Sequence, residues 1–361
     1  MTAEPQSETC KDRNCSEDLP DWLVVEEPLG PWGGDRSVTL PLSVNLMPKG
    51  PVAEVADLAV LAERLGYSRC WVYDEGLVTR DVYVTLAAIA LATERILIGP
   101  GITNPYVRHP GVTAAAVATI DELSNGRAFV GLGAGGGLTL NPLGINRRRP
   151  VVTVGHMVSA LRNLFAGETV DLDGEVFSLK SASLDFGRSS IEVILAGRGP
   201  RMVALGGEVA DGFNLSYIHK DLIGGHVSTL RSAARRHNRR FLITYSTMLV
   251  TSDEEFQEAR ATLSFRLVDS PIAVRELIGM TEAEGHEIRE ALAQGGTAAA
   301  ADLVREEWVA QFTIVGSPKE AGAELRDLLA RQGVDEFQLP VQRAEGAAAL
   351  IERTAEMVAS N

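Results

Sequence analysis

Eight alternations of a short, β-branched apolar run with a helix-spaced segment predict an α/β protein, a single (β/α)8 TIM barrel with insertions. Three observations carry that expectation. The apolar runs are brief and open into Gly, Pro and polar residues, as buried parallel strands do. The segments between them place apolar residues three and four positions apart. No composition break divides the 361 residues, and one barrel takes about 250, which leaves room for a leader and insertions.

The elements follow in order. Residues 1–36 read as a disordered leader, because Met1–Asp21 is acidic and polar where a signal peptide needs a basic and then an apolar run. The barrel domain is expected over 37–361. Leu40–Leu46 is the first strand, and its Asn45 points toward what the strand end serves. Val52–Leu65 has helical spacing with Gly66 at its stop. Cys70–Tyr73 is the second strand, ending in Asp74-Glu75. A helix from Asp81 to Thr93 leads into the third strand at Ile96. Pro110 suits the first turn of the next helix, which ends near Asn125-Gly126. Ala128–Leu132 is the fourth strand and breaks into Gly133–Gly137.

The alternation continues with a helix over Val151–Phe165 and an insertion, 168–190, that reads as a hairpin turning at Asp173-Gly174. Ile191–Leu195, Gly212–Leu215 and Phe241–Val250 are strands five, six and seven. Asp253–Leu267 is helical. Residues 270–305 carry Glu, Ala and Gly without one clean apolar face and read as a helical insertion near the barrel mouth. Phe312–Val315 is extended, Lys319–Arg331 is the last major helix, and Asp335–Leu339 is strand eight.

Composition narrows the function. The formal charge of −14, from 34 basic and 48 acidic residues, argues against a nucleic-acid partner. No apolar run approaches the ~18 residues of a membrane span. Three cysteines make no disulfide framework, and a cytoplasmic protein with reduced thiols is expected. Scattered histidines without a His-Glu or Cys cluster give no metal-site pattern.

Three motifs carry chemistry. Ile96–Pro110 runs a buried strand straight into Gly, Pro and the polar residues Thr103, Asn104, Tyr106, Arg108 and His109, at the end where barrels build active sites. In Leu195–Met202, Gly197 and Gly199 permit close approach of a ligand, and Arg198 with the free amides of a helix start makes an anion site. A lone Gly-x-Gly is otherwise an ordinary tight turn. Asp74-Glu75 is a carboxylate pair, and a like charge in a desolvated pocket raises one pKa toward neutrality. Glu75 as a solvated loop residue is the alternative.

These runs resemble the luciferase-like oxidoreductases, especially the branch using the deazaflavin coenzyme F420. The likeness is greatest to the methylene-tetrahydromethanopterin reductases, over Trp71–Tyr83, Ile96–Pro110, Asp121–Gly137 and Leu195–Gly212. The resemblance implies a non-proline cis peptide at Gly101–Ile102 behind the deazaflavin ring. It also implies a cofactor site of Asp74, Thr103, Asn104 and Gly135 with the phosphate on Ala196, Gly197, Arg198, Gly199 and Met202. His219 falls near the cofactor's anionic tail, and Arg147-Arg148-Arg149 is a further candidate there. His109 reads as a turn-shaping residue. Glu75 and Gly136 stand where the related sugar-phosphate dehydrogenases carry His and Glu, so Glu75 becomes the expected proton donor, with His156 as the alternative. The implied function is hydride transfer to a C=C or C=N bond of a small organic substrate in specialised metabolism, in a homodimer. The alternatives are a flavin mononucleotide (FMN) monooxygenase and a non-catalytic flavin-binding relative.

Overall fold

The computed structural model describes residues 40–237 and 240–359. The expected leader, with Cys10 and Cys15, therefore lies outside the described residues. The first half runs β1 (Leu42–Leu46), α1 (Val52–Arg64), β2 (Arg69–Val72), α2 (Val82–Ala92), β3 (Leu97–Pro100), α3 (Pro110–Leu123), β4 (Phe129–Leu132), the one-turn α4 (Gly137–Leu140) and α5 (Pro150–Phe165). The hairpin β5 (Val170–Asp173) and β6 (Ser178–Ala182) follows, then β7 (Glu192–Ala196), α6 (Pro200–Val209), β8 (Gly212–Ser216), α7 (Ile223–Arg236) and β9 (Leu242–Ser246). The chain continues through β10 (Leu249–Val250), α8 (Asp253–Val268), α9 (Ile272–Leu277), α10 (Glu282–Ala300), α11 (Glu306–Phe312), β11 (Ile314–Val315), α12 (Pro318–Gln332), β12 (Glu336–Val341) and α13 (Ala347–Ala359).

Local chemistry sets the helix boundaries. Asp81 caps α2 by accepting from the amides of Tyr83 and Val84. His109 Nδ1 accepts from Gly111 N at the start of α3, where Pro110 needs no amide partner. Ser317 and Glu320 form a capping box on α12, which ends in left-handed Gly333.

Eight parallel strands associate in the order β3-β2-β1-β12-β9-β8-β7-β4. The ends of that sheet meet through two isolated bridges, Ile98 with Ala128 and Thr103 with Leu132, so the barrel closes on a seam without a continuous ladder. The seam is held by packing. Trp71 and Phe129 meet edge-on inside the barrel, their ring centroids 4.5 Å apart. A Cβ at Gly131 would lie 2.1 Å from Pro100 O and 2.7 Å from the Trp71 ring, and one at Gly101 would lie 2.5 Å from Trp71 Cβ. At the other end of the barrel Arg69 joins Glu192 at 2.9 Å and Glu336 at 3.1 Å.

The expected hairpin insertion is β5–β6, and 270–305 is helical as expected. The seventh strand is not one run over Phe241–Val250. It leaves the barrel after Ser246, and β10 pairs in parallel with β11 in a separate ribbon. The physical reason is a second core. Ile243 and Tyr245 pack in the barrel core, whereas Met248 and Val250 join α8, α10 and α11 around the buried Trp308. Among the described residues no helix is long and apolar enough to cross a membrane.

Because its Cβ has no space at the seam, Gly131→Ala should destabilise the fold by about 1–3 kcal/mol, the usual cost of overpacking. The urea midpoint should fall with the slope unchanged. An unchanged midpoint would show that the seam opens freely.

Candidate active site at the barrel mouth

The C-terminal ends of the strands bring most of the expected site residues together. Asn45, at the end of β1, donates from Nδ2 to Gly101 O at 2.7 Å and so fixes the turn after β3. The Gly101–Ile102 peptide is cis, as the resemblance implies. Thr103 follows and donates its hydroxyl to Asp74 Oδ2 at 2.7 Å. Arg108 closes on the same carboxylate through Nε at 3.1 Å and Nη2 at 2.9 Å. It also reaches Asp81, the cap of α2, at 2.9 Å. Asp74 is 4% exposed, so it is a buried anion neutralised by a two-point guanidinium contact. Asn104 accepts from the amides of Tyr106 and Val107, both at 3.1 Å, and its amide lies against left-handed Gly135.

Glu75 turns the other way. Its Oε2 accepts from the buried Thr139 hydroxyl on α4. Burial raises its pKa, while the Thr139 bond and the Arg266 charge pull it down, and Asp74 adds the smallest upward effect. Asp74 thus raises the Glu75 pKa as expected, but desolvation is the dominant cause. Among the described residues, no hydrogen bond joins the two carboxylates directly, and each has its own partner.

Across the mouth, Ala196 ends β7 and Gly197 passes so close to Met202 that a Cβ would lie 2.6 Å from its Cγ. Gly199 begins α6 with no side-chain cap, and nothing lies within 4 Å of where its Cβ would be. Arg198 is half-buried and its Nη1 donates to the backbone carbonyl of Arg266 at 2.7 Å. Burial and the positive charge of Arg266 lower its pKa to about 10, with Arg147 adding to the effect. Arg147 itself donates to Gly135 O at 2.9 Å.

Three histidines take other places. His219 is buried and caps the turn Lys220–Leu222, accepting from Asp221 N at 3.2 Å. Burial lowers its pKa, so it is a neutral cap on the β8 side of the mouth. His156, on α5, faces the hairpin turn at Gly174 and not the Glu75 group. His109 shapes its turn, as expected. Two residues without a sequence signal join the site. Thr139 sits in a Gly-rich stretch that reads as loop, and Arg266 lies in an ordinary helical pattern.

The family model described as luciferase-like monooxygenase matches residues 37–336. A 5,10-methylenetetrahydromethanopterin reductase of Archaeoglobus fulgidus is 32% identical over 295 residues, covering 79% of this chain and 89% of that protein. The corresponding protein of Methanolobus tindarius is 30% identical over 293 residues, covering 79% and 90%. The fold matches that of the coenzyme F420-dependent tetrahydromethanopterin reductase of Methanopyrus kandleri with a TM-score of 0.77, at 23% identity, covering 88% of this chain and 98% of that one.

Proposed function

The chain belongs to the luciferase-like monooxygenase family, and from that premise we propose that it is an F420-dependent oxidoreductase that reduces a C=C or C=N bond of a small organic substrate. The observation that carries this reading is one mouth holding both an anion-ready loop and a carboxyl pushed toward its protonated form.

The residues fit such a cofactor. The uncapped start of α6, the open space at Gly199 and the positive charge of Arg198 and Arg147 suit a phosphate-bearing group. Asn104, Thr103 and Gly135 form the facing wall with Gly101–Ile102, and the Asp74–Arg108 pair locks that wall in place. F420, when bound in its reduced form, supplies a hydride. Glu75 supplies the proton that completes reduction of the double bond. Thr139 occupies its Oε2, so the transferable proton belongs on Oε1, and desolvation keeps it there at higher pH than an exposed carboxyl would.

The protein is also a candidate homodimer through α2 and α3. Val82–Ala92 contains no charged residue, and its outward side chains Val84 and Leu91 are 62% and 73% exposed, beside Val112 of α3 at 66%. Two copies of net charge −14 repel, and this uncharged face is where they approach at least cost.

Four outcomes are expected. The purified protein should quench F420 fluorescence on titration at lower concentrations than it needs for FMN; tight FMN binding without F420 binding would move it to the monooxygenase reading. Glu75→Gln should keep the F420 affinity and lower turnover by ~10²–10⁴-fold. A raised carboxyl pKa means the active protonated form is lost as pH rises, so wild-type turnover should fall on the alkaline side and Glu75→Gln should lack that limb. Normal turnover by this variant would remove Glu75 as the donor. Light scattering should give a dimer that becomes monomeric in Val84→Glu/Leu91→Glu; an unchanged mass would place the interface elsewhere.

A further inference from the structure

We propose that Arg266 receives a carboxylate carried by the substrate, at a subsite separate from the loop that takes the cofactor's phosphate. The proposal rests on the F420-dependent reading of the same mouth and narrows its substrate to unsaturated or imine compounds bearing a carboxylate.

The first observation is the company the arginines keep. Arg69, Arg108, Arg162, Arg188 and Arg231 all end on carboxylates. Arg198 and Arg266 do not: among the described residues no carboxylate lies within ion-pair distance of either. Arg198 donates to a backbone carbonyl, that of Arg266, and Arg266 Nη1 donates to Thr262 O at 2.8 Å. Arg127 also lacks a carboxylate but spends all five donors on neutral oxygens, whereas half-buried Arg266 makes one side-chain hydrogen bond and so keeps donors for an anion.

The second observation is how firmly Arg266 is held. Its guanidinium lies 4.0 Å from the Tyr217 ring centroid and 4.4 Å from that of Phe265. Tyr217 follows β8 in a left-handed conformation with φ of 52°, a strained backbone for a bulky residue. Its hydroxyl accepts from Gln342 Nε2 at 3.1 Å, and Gln342 Oε1 accepts from Thr262 at 3.3 Å. Thr262 and Arg266 stand one turn apart on α8. Strand ends and helix thus grip the flat group from several sides, which preorganises it for a planar carboxylate.

The third observation separates the two anions. Arg198 stands at the start of α6. Arg266 acts electrostatically on Arg198 and also on Glu75 and Tyr73, which follow β2 across the mouth. Its charge holds the Glu75 pKa down. A carboxylate bound there cancels that pull and favours the protonated donor, so the substrate's own anion readies the acid that completes its reduction.

The test uses F420-loaded protein and two probes of equal shape, crotonate and its neutral amide crotonamide, with binding read from the deazaflavin absorbance. Wild type should bind crotonate at least about ten-fold more tightly than crotonamide, the worth of one charged hydrogen-bonded contact. Arg266→Met should lose that preference while its F420 dissociation constant stays within about two-fold, and Arg266→Lys should keep part of it. Equal binding of the two probes by wild type, or an undiminished preference in Arg266→Met, overturns the proposal alone. A large loss of F420 affinity in Arg266→Met also overturns it, by assigning the arginine to the cofactor's own anion. Failure of wild type to bind F420 overturns the cofactor reading, and this proposal with it.

Discussion

The packing of Trp71 is the constraint on which the rest of the mouth depends. A (β/α)8 barrel is stable when its last ladder closes, and here β3 and β4 meet through only two bridges. The Trp71 ring fills the interior beside them, edge-on to Phe129, in space that exists because positions 101 and 131 carry no side chain. A wide aromatic inside a barrel leaves the neighbouring strands little freedom. The exit of β3 is therefore placed by shape, and Asn45 then fixes it by a single hydrogen bond to Gly101.

From that exit the polar wall follows in sequence. Thr103 bridges to Leu132 and turns its hydroxyl to Asp74, and Arg108 comes back to the same carboxylate. Asp81 takes part twice, as cap of α2 and as the second carboxylate on Arg108. Breaking one member leaves a buried charge unpaired, which is why such a network is stiff. Asp74 is thus a fastening, while the side chain of Glu75 beside it accepts from Thr139 and keeps a titratable carboxyl at the mouth.

The segment after β9 serves the opposite side. The α8–α11 helices build their own core, in which the Trp308 indole donates to Ile278 O at 2.9 Å. Tyr217 joins that core from the barrel side, so the end of β8 and the helices are packed as one body. This is how a helix far along the chain presents Arg266 to residues that follow β2.

The sequence by itself determined what short-range chemistry controls. Apolar period, Pro110 at a helix start and glycines at strand ends specify the barrel and the hairpin insertion, because each acts within a few residues of itself. The likeness of Ile96–Pro110 to a known family located the cis peptide, and Gly199-Pro200 was legible as a helix start for the same local reason. Tertiary structure decided the partners. Phe241–Val250 reads as one strand because all of it is apolar, and only the presence of two cores divides it. Neither the bond from Thr139 to Glu75 nor the position of Arg266 over Tyr217 leaves a local mark. That the Glu75 pKa is raised was equally hidden. That shift depends on desolvation and on charges brought from distant elements, and both exist only once the chain has closed around the site.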